Sequence, residues 1–384
     1  MPRKARRLEG LVQSDIRRMT RECERVGGIN LGQGICDLVT PPLVRDGAIE
    51  AIRSGKSTYS FAEGIEPLRR AIAVKLERDN GIRANPMSEI VVTAGSSGAY
   101  ASALFALLDP GDGIVLFEPY YGYHLNTALV AGLVPQFVTL PAPEFRLVEA
   151  NLRAAIRPNT RAIVVCSPSN PCGRMFDVEE LKILERVARE HDLWVFTDEI
   201  YEYIRYDGRE HISPATIGSL YERTVTIMGL SKTFSITGWR LGYAVAREDV
   251  ARQIALVHDL FFICAPTPLQ HGVAAGFSAP KSYFEGLQAE FTKKREWTCD
   301  ALYDAGLDPI EPEGAYYVLA DVSKMGFDTS RQAALAILER TGVATVPGSS
   351  FYQGSEGERF VRVCYAKEDD VLQYACKRLA QLGE

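Results

Sequence analysis

Gly229–Gly242 reads GLSKTFSITGWRLG, and the organisation of the whole chain can be worked out from it. It follows the apolar run Thr224–Met228 and ends where a second run, Leu241–Ala246, begins. A lysine, Lys232, therefore stands at a strand exit among small and apolar residues, with Arg240 eight positions on. A lysine whose charge is disfavoured becomes nucleophilic and can form a Schiff base. An arginine beside it could hold a phosphate through two hydrogen bonds. By composition alone, the same segment also reads as a surface loop with two solvated cations.

Working outward, apolar β-rich runs recur at Glu89–Ala94, Gly113–Phe117, Pro135–Leu140, Ala162–Cys166 and Leu193–Thr197. Helical patterns lie between them at Glu66–Asn80, Ser97–Leu108, Val178–Glu190 and Arg247–Phe261. Strands apolar throughout and separated by helices predict an α/β fold, with a mostly parallel sheet covered on both faces. After about residue 285 the pattern becomes α+β. A charged helix at Gln288–Ala305 precedes strands near Tyr316–Ala320 and Phe360–Tyr365, with helices at Ser330–Arg340 and Asp369–Leu382. The expected plan is a large domain over 45–285 and a smaller one from 1–44 and 286–384. The latter takes in a helix at Ser14–Val26.

Four further segments sit at strand exits. In TDEIY (Thr197–Tyr201), Asp198 could pair with a protonated ring nitrogen, because ligands bind at the carboxyl ends of parallel strands. Ile200 shares its face if the chain is still extended, and Tyr201 offers a hydroxyl. A buried structural carboxylate is the competing reading of Asp198. SPSNPCG (Ser167–Gly173) forces a turn that offers Asn170. TAGSSGAY (Thr93–Tyr100) leads a strand into a helix, where Ser96, Ser97 and backbone N–H groups make a phosphate cradle or a plain N-cap. In EPYYGY (Glu118–Tyr123), Tyr120 or Tyr121 could stack on a planar ring.

Together and in this order, the segments resemble the class I/II aminotransferases, pyridoxal-phosphate enzymes of fold type I. The similarity runs from GINLGQGICD at Gly28 to FVRVCYA at Phe360. It implies that Lys232 carries pyridoxal 5'-phosphate as a Schiff base and then moves the proton, with Asp198 and Tyr201 assisting. It assigns Asn170 and Tyr201 to the ring's phenolic oxygen, and Tyr121 and Ile200 to its two faces. Ser96, Ser97, Ser231 and Arg240 take the phosphate. Tyr59, in STYSFAEG, matches a tyrosine that reaches the neighbouring subunit's phosphate, which implies a homodimer with shared sites. Arg362 would clamp the substrate α-carboxylate near the backbone of Gly34.

The chain departs from many members at two places. Gly229 stands where they have serine, and Cys36 where they have proline. No second arginine for an acidic side chain is evident. The activity implied is ping-pong transamination between an L-amino acid and a 2-oxo acid. The alternatives are a C–S β-lyase on the same site and a non-catalytic cofactor-sensing module. His258–Gln270 (HDLFFICAPTPLQ) and GSSFYQG resemble the kynurenine and glutamine transaminase branch. Ile16, Tyr123 and Phe351 are candidate pocket or packing residues.

Composition bounds the rest. The 384 residues, 46% hydrophobic and 24% charged, suffice for two or three domains and exclude a disordered chain. A net charge of -6 argues against a nucleic-acid binder. Eight cysteines without CxxC spacing read as reduced thiols of a cytoplasmic protein, with no metal site. Arg3, Lys4, Arg6 and Arg7 read as a solvated tail, and no run is long enough to span a membrane.

Overall fold

The apolar runs between 90 and 245 pair into one seven-stranded sheet. The structure is a computed structural model that describes residue 5, residue 11 and residues 15–383. The basic residues Arg3, Lys4, Arg6 and Arg7 lie outside that range, as does Ser14. In chain order the strands are β1 (Ile29–Asn30), β2 (Ile90–Ala94), β3 (Gly113–Glu118), β4 (Val134–Thr139), β5 (Thr160–Cys166) and β6 (Trp194–Asp198). They continue with β7 (Thr224–Gly229), β8 (Leu241–Val245), β9 (Asp308–Ile310), β10 (Tyr317–Asp321), β11 (Val343–Ala344), β12 (Val346–Pro347) and β13 (Phe360–Cys364).

The large sheet runs β2-β8-β7-β6-β5-β3-β4. Its pairs are parallel except those of β8, which is antiparallel to both β2 and β7. This orientation matters for the site. The parallel strands end at one edge, and β8 begins there, so Gly242 pairs with Gly229 on one side and Thr93 on the other. Arg240, just before β8, is delivered to the same edge as Lys232, just after β7.

Alternate strand residues pack on opposite faces, as the two-residue period of a strand requires. Leu116, Val164, Phe196 and Ile227 join Ala103 and Ile254 of the helices Gly95–Leu107 and Glu248–Phe262. Val115, Val165 and Val195 join Leu181, Leu184 and Val187 of the helix Val178–Glu190. That helix starts at a capping box, with Asp177 and Glu180 each satisfying the other's backbone N–H.

A second, antiparallel sheet has the order β12-β13-β10-β9, and β1 pairs with β11. Met19, Cys23, Leu31 and Cys36 share a core with Phe291, Ile337, Val363 and Leu379, so both chain ends pack together. The expected charged helix is longer than predicted, Lys281–Asp304. Five α-helices among the described residues were not foreseen: Pro42–Arg53, Gly122–Val130, Glu149–Ala155, the one-turn Leu230–Thr233 and Thr267–Gly276. The first and last carry proline in the first turn, where its missing N–H costs nothing, and they pack on each other. That packing outweighs the low helix propensity of their glycines.

Candidate active site

Lys232 sits on a one-turn helix, Leu230–Thr233, directly after β7. Its Nζ donates to the Gly34 carbonyl at 3.1 Å and lies 5.2 Å from the centre of the Tyr316 ring. Burial pushes the amine down to about 8, and the positive charge of Arg240 adds to this; Cys36, Cys364 and Asp198 oppose it. Half the amine is then neutral near pH 8. Reconstitution of cofactor-free protein with pyridoxal phosphate is expected to accelerate as pH rises to about 8 and then level off. A solvated lysine would keep accelerating toward about 10.4. Stopped-flow absorbance against pH separates the two.

Asp198 ends β6 and is almost fully buried. Its Oδ2 lies 2.9 Å from Nε2 of His124, a residue the sequence reading missed. His124 stands one helical turn beyond Tyr121, in the unforeseen helix Gly122–Val130. Its ring is held between Tyr100 at 4.9 Å and Tyr121 at 5.3 Å. After Asp198 the chain turns and does not stay extended, which corrects the expected geometry of Ile200. Ile200 still lines the cavity, because its side chain fills the space beside Gly229. A Cβ at Gly229 would come closer than 3.0 Å to it. The missing serine hydroxyl at 229 is therefore coupled to the apolar contact that Ile200 makes.

The turn bearing these residues is anchored from below. Glu202 forms a buried ion pair with Lys75 and accepts a hydrogen bond from Asn80 at 2.8 Å. Tyr201 points its hydroxyl at that of Tyr317, 3.1 Å away. Burial pushes Tyr317 up to about 12, with Arg362 opposing, and it raises Tyr201 too. Both phenols stay protonated and can donate.

At one end of the cavity, Ser96 and Ser97 occupy the first turn of Gly95–Leu107, facing Ser231 and Arg240. Arg240 has φ +55°, uncommon for a residue with a side chain, and this turn lets its guanidinium reach the Thr237 carbonyl at 2.9 Å and the Ser97 hydroxyl at 3.1 Å. A Cβ at Gly242 would lie 2.6 Å from the Gly95 carbonyl carbon and 2.9 Å from the Met228 oxygen. These are backbone atoms that cannot swing aside. Gly242→Ala is expected to cost about 1–3 kcal/mol of stability and to weaken cofactor binding, read by thermal melts with and without pyridoxal phosphate.

At the other end is Arg362, 1% exposed in β13. It donates to the Asn170 amide oxygen at 2.8 Å and the Gly32 carbonyl at 2.6 Å. Its guanidinium lies 4.3 Å from the Tyr317 ring centre and 5.0 Å from that of Phe351, and its Nε has no partner. Phe351 therefore packs behind Arg362, whereas Ile16 and Tyr123 line the cavity. Arg17 also lines it, without an acidic partner among the described residues.

Two adjoining cavities, of about 240 and 390 Å³, thus collect every predicted site residue but one. Tyr59 is 77% exposed and lies in a separate depression with Ser60, Phe61 and Ile65. The sequence reading missed His124, Tyr316 and Tyr317. The last two are in the run Tyr316–Ala320, read there only as a strand. Among the described residues, no group of His, Cys, Asp and Glu could hold a metal, and no helix is long and apolar enough to cross a membrane.

The donor set can be tested against the implied cofactor. The helix start, three hydroxyls and an arginine suit a phosphate. A buried carboxylate suits a protonated ring nitrogen, and an aromatic and an aliphatic side chain suit two ring faces. A low-pKa lysine suits an aldehyde. Pyridoxal phosphate asks for all of these at once, and the fold is that of enzymes that carry it.

The chain belongs to the family described as aminotransferase class I and II, whose profile matches residues 26–379. It is 36% identical to an aspartate/prephenate aminotransferase of Thermus thermophilus, over 92% of this chain and 90% of that one. It is 31% identical to kynurenine–oxoglutarate transaminase 1 of the mouse, over 98% and 96%. The solved structure of N-succinyldiaminopimelate aminotransferase from Mycobacterium tuberculosis superposes with a TM-score of 0.95 at 31% identity, covering 99% of this chain and 100% of that one. The protein is a pyridoxal-phosphate-dependent aminotransferase of fold type I, moving an amino group between an amino acid and a 2-oxo acid.

Proposed function

We propose a division of labour among the residues at this sheet edge. Lys232 binds the cofactor through its amine, yields that place to the incoming amino acid, and then carries the proton taken from the substrate Cα. Pyridoxal phosphate, when bound, supplies the ring that takes up the electron pair left behind. Asp198, backed by His124, holds a proton at the ring nitrogen. Tyr201 and the Asn170 amide nitrogen donate to the phenolic oxygen, the Asn170 amide oxygen being engaged by Arg362. Tyr121 and Ile200 flank the ring. Ser96, Ser97, Ser231 and Arg240 bind the phosphate, and Arg362 with the backbone near Gly34 binds the α-carboxylate. One observation carries this reading: a low-pKa amine set between two anion sites, with a buried acid on the third side.

The reading extends to a cytoplasmic homodimer with a large domain over 45–285 and a small one from 1–44 and 286–384. Tyr59 is exposed and turned away from its own cavity, and Phe61, Leu260 and Phe261 are exposed apolar residues that a partner would cover. The eight free thiols suit a reducing compartment. Arg17 offers an acidic side chain a partner, so dicarboxylic acids are expected among the productive substrates.

Half-reactions test the proposal. Each of a panel of amino acids is mixed with the loaded enzyme, and the Schiff-base absorbance is followed together with release of the matching 2-oxo acid. Loss of the absorbance, its recovery on adding a 2-oxo acid, and ping-pong kinetics are expected. Pyruvate and ammonia released without an acceptor acid would mark elimination. No spectral change with any amino acid would overturn the assignment.

A further inference from the structure

The stretch His258–Gln270 lines neither cavity around Lys232. Yet its two end residues are polar and fully buried, each 0% exposed. Burying an imidazole and a carboxamide costs free energy unless their hydrogen bonds replace those lost to water. Both residues make such bonds, and the bonds lead to the two elements proposed to bind phosphate.

His258 Nε2 accepts the Ala94 N–H at 3.0 Å. Ala94 ends β2 and immediately precedes the helix whose first turn holds Ser96 and Ser97. An accepting Nε2 requires a neutral ring with its proton on Nδ1. Burial pushes His258 down to about 4, which keeps it neutral at working pH. Its Nδ1 forms no hydrogen bond of good geometry, although the Ala62 backbone lies toward it. Phe262 lies against the imidazole, ring centres 5.1 Å apart, and its edge faces Gly98 in the same helix.

At the other end, Gln270 Oε1 accepts the Ile65 N–H at 2.8 Å. Its Nε2 donates to the Ser60 hydroxyl at 3.1 Å and the Ala265 carbonyl at 2.8 Å. Ser60 and Ile65 both lie in the segment that begins at Tyr59. Between the two ends the chain bends at Ile263, which has φ +64°, a costly conformation for a β-branched residue.

We propose that His258 and Gln270 are positioning residues of cofactor binding, His258 fixing the phosphate cradle of its own site and Gln270 fixing the loop whose Tyr59 serves the neighbouring site. The Gln270 half rests on the homodimer reading above; the His258 half stands on one chain. The stretch is a bracket between the two sites of a dimer.

The test uses the full-length enzyme and measures the Kd for pyridoxal phosphate beside the melting point of the cofactor-free protein. His258→Leu strands the Ala94 N–H and is expected to raise Kd about 10- to 100-fold. His258→Gln, with an amide oxygen able to accept that N–H, is expected to recover all but about threefold of the loss. A change in melting point with Kd unmoved, or no recovery in a folded Gln variant, overturns the His258 half. In the unaltered holoenzyme, NMR is expected to find the His258 proton on Nδ1; the opposite tautomer overturns it even if the Leu variant fails to fold. Gln270→Leu is expected to raise Kd as much as Tyr59→Phe does, with no further rise in the double variant. Additive effects overturn the Gln270 half. If Tyr59→Phe leaves Kd unchanged, the shared-site reading fails, and the His258 result still stands or falls alone.

Discussion

Lys232→Ala is expected to lose transamination by about 10⁴-fold or more and to show no Schiff-base absorbance on adding pyridoxal phosphate. Two functions vanish together in this variant. The amine proposed to bond the cofactor is gone, and so is the base proposed to take the substrate Cα proton. Nothing near it substitutes. The groups around it include the Gly34 carbonyl, the Tyr316 phenol and the Cys364 thiol, and burial keeps the last two protonated. The cavity's anion sites remain, since Arg240 and Arg362 are held by contacts independent of Lys232. The variant should therefore bind pyridoxal phosphate without bonding to it. Lys232→Arg is the control. It keeps the positive charge and loses the nucleophile, so a purely electrostatic role for residue 232 would leave it active. Steady-state turnover and the absorbance spectrum of both variants decide the matter.

Asp198→Asn carries the second-largest expected effect, a fall of about 10²–10³ in kcat. The substitution preserves shape and removes one charge. In the proposed role that charge keeps the ring nitrogen protonated, and a buried site makes it count for more than it would in water. Asp198 is well placed for this, because His124 holds its other oxygen and fixes its rotamer. His124→Asn is expected to fall less, since the carboxylate would remain and lose only its orientation. Equal losses in the two variants would mean that the pair acts as a unit. Neither variant should alter the binding of inorganic phosphate at the Arg240 cradle, which separates a local effect from a collapse of the site.

The large sheet was legible because most of its strands are apolar runs and several of them alternate with helical patterns, and no tertiary contact is needed to see that. Most of the site was legible for the same reason: Asp198, Asn170, Lys232, Tyr121, Ser96 and Ser97 all follow such runs directly. What remained hidden came from elsewhere. His124 lies on a helix with no strong apolar stripe, and its partner is 74 residues away. Tyr316 and Tyr317 read as strand residues; Tyr317 meets Arg362 only once β10 pairs with β13, and both tyrosines meet Tyr201 only through tertiary packing. The departure at Gly229 looked like a lost hydroxyl and is better described as room for Ile200. Arg17 carried no signal, because a charged residue on a short helix is ordinarily solvated.

The Lys232 bond to Gly34 spans 198 residues, and the Arg362 bond to Gly32 spans 330. A chain emerging from the ribosome presents every strand of the large sheet before Phe360 appears, so the arginine proposed to hold the substrate arrives after them. Contacts of such long sequence separation form slowly. The proposed phosphate cradle is thus complete by Arg240, whereas the proposed carboxylate site waits for a contact that closes 330 residues of chain.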